Sequence, residues 1–202
     1  MQDAYKSIKR ASEGFFKDKG SKFYAFAFPV KNKDEIKDIL SKINREHHSA
    51  RHHCYAWRLG ADGKTHRAND DGEPTYTAGK PILGQLHSYG VTNVLLVVVR
   101  YFGGTLLGKP GLINAYRSAA ADALSKAEII TKIVDATFRL EFTYDQIGDV
   151  MRLIDQENLN ILNTDFKLIC NLDFSVRKSA ASQIKKLFNS IPGIKITLIP
   201  SP

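Results

Sequence analysis

Three short stretches carry most of the residues able to do chemistry: His47 to Trp57 (HHSARHHCYAW), Asp70 to Thr75 (DDGEPT) and Arg100 to Leu112 (RYFGGTLLGKPGL). In the third, Gly103, Gly108 and Lys109 reproduce the spacing of a phosphate-binding loop. Pro110 then stands where a Ser or Thr would hold Mg²⁺, and a proline also removes one backbone N–H from the cradle. No later apolar strand ends in an acidic residue placed to hold the metal, and both features weigh against nucleotide hydrolysis. What remains is a glycine-rich turn opening a helix beside Arg100, Lys109 and Arg117, which suits a bound phosphate. The structural alternative is that Gly103, Gly104, Gly108 and Gly111 serve positive φ and tight packing.

Five of the six histidines lie between His47 and His66, followed by Asp70, Asp71 and Glu73. Imidazole with carboxylate is a plausible ligand set, but the spacing matches no zinc pattern, and in a strand His52 and His53 point to opposite faces. No metal and no cofactor are expected. Asp70, Asp71 and Glu73, with His53 as base, have the chemistry for general acid/base work in a small metal-dependent hydrolase, yet DDGEPT is also the composition of a tight turn. Nucleic-acid binding is served by basic residues interleaved with aromatics: Arg51, Tyr55, Trp57 and Arg58, then Arg100, Tyr101 and Phe102. Tyr55 and Trp57 serve equally well as core.

Patterned elements must hold these residues. Lys22 to Phe28 alternates as a strand, and Asn32 with Glu35 caps a helix carrying Ile36, Ile39, Leu40 and Ile43. His53 to Leu59 reads as a strand, Gly60 to Lys80 as an irregular, functional or mobile stretch, and Pro81 as the first turn of a helix. Asn93 to Val99 is a strand apolar on both faces; a helix follows from about Pro110 to Glu128, with Ala115, Ala119, Ala123 and Ala127 in one stripe. From Val134 onward the order is βαββαβ, the ferredoxin-like plan. The fold class is therefore α/β (α+β) in two domains, residues 1–134 and 135–202.

Charge divides at the same place. Of 202 residues, 29 are Lys or Arg and 21 Asp or Glu, a net of +8; residues 1–134 hold 21 basic and 13 acidic residues, residues 135–202 eight of each. A basic first domain points to an anionic partner, with RNA or ribosomal surface foremost. Cys54 and Cys170 form no disulfide framework, and no targeting or membrane segment is read, so a cytoplasmic location is expected.

Taken in order, SARHHCYAW (49–57), DDGEPTYTAGKPIL (70–83) and NVLLVVVRYFGGTLLG (93–108) with GLINAY (111–116) resemble the IMPACT family, in its bacterial two-domain YigZ-type form, over essentially the whole chain. Lys109 and Pro110 depart from the small residues the family pattern favours there. The resemblance implies a first domain with the ribosomal-protein-S-five domain-two-like fold, also found in domain four of elongation factor G. It implies a ferredoxin-like second domain similar to that factor's domain five. It further implies regulation of translation, in bacteria through nucleic acid or the ribosome. The expectation is a non-enzymatic protein binding RNA or translation factors. Arg51, His53, Arg100, Tyr101, Gly103, Gly104, Lys109 and Arg117 would form the anion site, and Asp70, Asp71 and Glu73 a polar cleft. A hydrolase and a pure protein-interaction module are the alternatives.

Overall fold

A computed structural model describes residues 3–199, and contacts divide them into residues 5–132 and residues 133–199 with Asp3 and Ala4. The chain opens with strands β1 (Ala4–Ile8), β2 (Ser12–Asp18) and β3 (Ser21–Pro29), then helix α1 (Lys33–Glu46) and strands β4 (His52–Leu59) and β5 (Thr65–Asn69). Helix α2 (Gly79–Ser88), strand β6 (Val94–Tyr101), helix α3 (Gly108–Ser125) and strand β7 (Ile129–Ile133) follow. Five strands form one antiparallel sheet in the order β2-β3-β6-β4-β5, while β1 and β7 pair separately.

The apolar run Val94–Val99 is the centre of that sheet, and all six residues are buried. Val94, Leu96 and Val98 face the helices α2 and α3 with Phe23, Ala25, Cys54 and Ala56; Leu95, Val97 and Val99 face α1 with Trp57 and Leu59. A strand covered on both faces needs no polar alternation. Helix α1 starts where Asn32 Oδ1 accepts the Glu35 N–H at 2.9 Å, and the Glu35 carboxylate returns to the Lys31 N–H at 2.8 Å. The alanine stripe of α3 lies against β2 at Gly14, where a Cβ would stand 2.3 Å from the Ala123 nitrogen.

Two expectations are corrected. Gly60 to Lys80 contains a regular element, β5, whose residues are almost all exposed at the sheet edge and so carry no apolar alternation to read. Helix α3 runs from Gly108 to Ser125, against an expectation of about Pro110 to Glu128: Pro110 sits inside its first turn rather than at its head, and the helix ends with Lys126 as its C-cap.

The second unit runs β8 (Asp135–Thr143), a single 3-10 turn (Tyr144–Gln146), α4 (Ile147–Gln156), β9 (Asn160–Asp165), β10 (Ile169–Arg177), α5 (Ala181–Asn189) and β11 (Lys195–Ile199). Its antiparallel sheet has the order β11-β8-β10-β9, the βαββαβ arrangement expected of a ferredoxin-like domain. Phe138, Leu140, Leu172 and Phe174 pack with Val150 and Ile154 of α4 and Ile184 and Phe188 of α5. Among the described residues no helix is long and apolar enough to cross a membrane.

Candidate functional site

Strand pairing brings the three chemical stretches together. β4 and β6 place His52 opposite Arg100 and His53 opposite Val99. The Asp70 to Thr75 turn then folds back over β4: the Asp71 carboxylate accepts the His53 N–H at 2.7 Å, and the Asp71 carbonyl meets His52 Nδ1 at 2.8 Å. Nδ1 must carry the proton to bond a carbonyl, so His52 turns Nε2 toward Glu73, 3.9 Å away.

Beneath the cleft lies a buried polar chain. Glu73 Oε1 accepts from Arg100 Nη1 at 2.6 Å and from the Tyr116 hydroxyl at 2.8 Å. Both charged side chains are nearly inaccessible, 3% exposed for Glu73 and 6% for Arg100. The Cys54 thiol shares one donor between the Asp70 carbonyl at 3.0 Å and Tyr116 Oη at 3.3 Å. Burial pushes the Cys54 thiol up, and burial with the neighbouring Cys54 and Glu73 pushes the Tyr116 hydroxyl up. Both groups therefore stay protonated at neutral pH, which disqualifies Cys54 as a nucleophile.

The acidic turn is an architectural piece. Asp70 Oδ1 accepts the N–H groups of Ala78 and Gly79 at 3.0 and 2.8 Å, and Oδ2 accepts that of Tyr76 at 2.9 Å. It thereby caps α2 from nine residues away, where the helix's own Ala78 offers no acceptor. Asp71 adopts φ 41°, with its N–H on Asn69 Oδ1. His53 Nε2 lies 3.1 Å from the His47 carbonyl. His53, Asp70 and Asp71 are thus bonded to backbone groups and Glu73 to Arg100 and Tyr116, and among the described residues no group of three or more His, Cys, Asp or Glu converges to hold a metal.

Above this chain opens a cavity of about 390 Å³ lined by Arg51, His52, Glu73, Arg100, Lys109 and the first turn of α3, with an apolar wall including Phe102, Leu106 and Leu112. Strand alternation explains which expected residues reach it. Arg100 and His52 point to the α2/α3 face and line the cleft; Tyr101 and His53 point to the α1 face, where Tyr101 Oη meets His47 Nδ1 at 2.9 Å. Tyr101 lines a neighbouring hollow of about 460 Å³ with Lys22, Tyr24 and His47. Arg117 is exposed on α3 and does not line the cleft.

Gly103 belongs to packing: a Cβ there would lie 1.9 Å from the Gly20 carbonyl carbon, and its N–H donates to Ser21 Oγ. Gly104, at φ 87°, faces open space. Trp57 and half-buried Tyr55 sit in the α1-side core, and Arg58 donates to the Val91 carbonyl at 2.8 Å, so none of the three presents an aromatic or cationic surface to the cleft. His52 and Leu106 line the cleft and Tyr116 bonds Glu73 beneath it, although none of the three is among the anion-site residues expected from the sequence. The alternation of His52 with buried Cys54 was the available signal for His52, and a lone tyrosine on the alanine face of α3 for Tyr116.

The architecture is that of an α/β domain with a cationic cleft at a helix N-terminus, joined in sequence to a ferredoxin-like domain. Residues 19–124 match the family model of the Impact N-terminal domain. The chain belongs to the IMPACT family. It is 37% identical over 151 residues to the Escherichia coli IMPACT family member YigZ, covering 74% of each chain. It is 31% identical over 150 residues to Bacillus subtilis YvyE, covering 74% of this chain and 69% of the relative. A crystal structure of a hypothetical protein matches along the full length of both chains at 30% identity, with a TM-score of 0.72.

Proposed function

We propose that this protein is a non-catalytic binding protein that acts on the translation machinery by binding RNA at the cleft of its first unit. One observation carries the reading: three cationic side chains, Arg51, Arg100 and Lys109, line a cleft in which the one carboxylate among the described lining residues, Glu73, is already paired with Arg100. Exposed Arg51 and Lys109 therefore remain to meet phosphate, beside the partly exposed ring of Phe102 for base contact. Arg100, committed to Glu73, supports the site from below.

The second unit is a poorer candidate. On the sheet face away from its helices, Arg139 is bonded twice to Asp173 at 2.7 Å and Lys195 pairs with Glu141 at 3.1 Å, so two of that surface's cations are already matched by carboxylates.

Titration of the full chain with a labelled single-stranded RNA between about 50 and 200 mM salt tests the reading. Affinity should fall steeply with salt, and Arg51→Ala and Lys109→Ala should each lessen the logarithmic slope by about one. Binding indifferent to salt and to both substitutions refutes it.

A further inference from the structure

Building on the reading of this cleft as an anion site, we infer that it holds one nucleoside monophosphate unit, free or as the 5′-phosphorylated end of an RNA strand. The phosphate sits at the first turn of α3 and the base on the Phe102 wall. Arg51, Arg100 and Lys109 against the single carboxylate of Glu73 leave the lining with two net positive charges. A phosphate monoester carries close to two negative charges at neutral pH, whereas an internal phosphodiester carries one.

The donors match a terminal phosphate. Gly108 and Lys109 line the cavity at the start of the 18-residue α3, and their N–H groups have no intrahelical acceptor. The N-cap Leu107 supplies no side-chain bond, and the first turn has no acidic residue. Arg100 gives a second, independent sign. It lines the cavity, is buried, and its Nε finds no acceptor among the described residues. A buried donor of this kind is costly unless an acceptor arrives.

The remainder of the cavity is too apolar for phosphate alone. Pro74, Phe102, Leu106 and Leu112 form its wall. Phe102 is 42% and Leu106 83% exposed, large surfaces left uncovered at the mouth of a charged site. The guanidinium carbons of Arg51 and Arg100 stand 5.9 and 5.6 Å from the Phe102 ring centroid and orient it. About 390 Å³ lies at the small end of ligand pockets and suits a single nucleotide.

Calorimetric titration of the full chain with AMP, adenosine and inorganic phosphate, and with oligoadenylate bearing a 5′-phosphate or a 5′-hydroxyl, tests this assignment. AMP should bind at least about tenfold more tightly than adenosine or inorganic phosphate, and the 5′-phosphorylated strand should exceed the 5′-hydroxyl strand by a similar factor. Lys109→Ala should weaken AMP about tenfold and leave adenosine unchanged; Phe102→Ala should weaken AMP and leave inorganic phosphate unchanged. The stronger of AMP and the phosphorylated strand identifies the source of the nucleotide.

Indifference to the 5′-phosphate together with no AMP binding overturns the inference while the salt-dependent RNA reading stands. AMP binding without RNA affinity does the reverse. Should Phe102→Ala fail to fold, the exposed Lys109→Ala still decides.

Discussion

Removing the Glu73 carboxylate should destabilise the first unit more than removing any surface charge of the chain. Glu73→Ala leaves the Arg100 guanidinium buried with Phe23 and Phe102 beside it and no anion, and it also takes the acceptor from Tyr116. Breaking a buried pair from one side costs about 3–5 kcal/mol, far above the roughly 0–1 kcal/mol of an exposed pair such as Lys9–Glu128. For a unit of this size, that corresponds to a midpoint lower by about 10–20 °C. The chain's single tryptophan, Trp57, is buried in the first unit, so its fluorescence during urea or thermal unfolding reports that unit alone. The pair Glu73→Ala with Arg100→Met removes both charges and should recover much of the loss. A Glu73→Ala cost below about 1 kcal/mol, or a double variant as unstable as the two singles added together, would refute the ion pair as the element holding turn to strand.

Three further outcomes follow from the geometry. Gly103→Ala forces a Cβ into the Gly20 backbone and should cost about 3 kcal/mol or more, whereas Gly104→Ala, strained only by its φ, should cost about 1–2 kcal/mol; equal midpoints would contradict the packing role of Gly103. Asp70→Ala strips three backbone N–H groups of their acceptor and should cost about 2 kcal/mol, with loss of α2 helicity in circular dichroism; an unchanged midpoint would show that Asp70 caps nothing. In the second unit, hydrogen bonds from Arg139 hold the Asp173 carboxyl below the usual carboxylate range. Its folded pKa lies below the unfolded value, so the stabilisation is complete above about pH 4 and is lost as pH falls through the depressed folded pKa. Asp173→Asn should flatten this acid limb in pH-resolved unfolding of the second unit.

Much of this was legible because two-residue and three-to-four-residue periods survive in the sequence. The alternation from Val134, the capped α1 and the two-faced run of β6 were all readable, since each buries a patterned face. Strands β1, β2, β5 and β7 were not, because short or edge strands with exposed residues leave little apolar signature. At the site, the three stretches were recognisable by composition, but which residue of each would face the cleft depended on the phase of two strands. Alternation from Cys54 and Val98 selects His52 and Arg100 over His53 and Tyr101. Nothing local marks Asp70 as the cap of α2 or Tyr116 as a partner of Glu73, since both relations arise only when distant segments meet.

The sheet separates two kinds of side chain. Leu95, Val97 and Val99 hold α1, while Val98 and Arg100, one residue out of step, support α3 and the cleft floor. Substitutions along the α1 side therefore tune how firmly the unit folds without altering what the cleft presents. Cleft substitutions that spare the Glu73–Arg100 pair can in turn drift toward a new ligand while the tryptophan-bearing layer behind the sheet keeps the scaffold intact. On β6 itself the two roles meet at Arg100, which lines the cleft and is also tied to buried Glu73, so recognition can vary apart from folding only at exposed cleft positions such as Arg51 and Lys109.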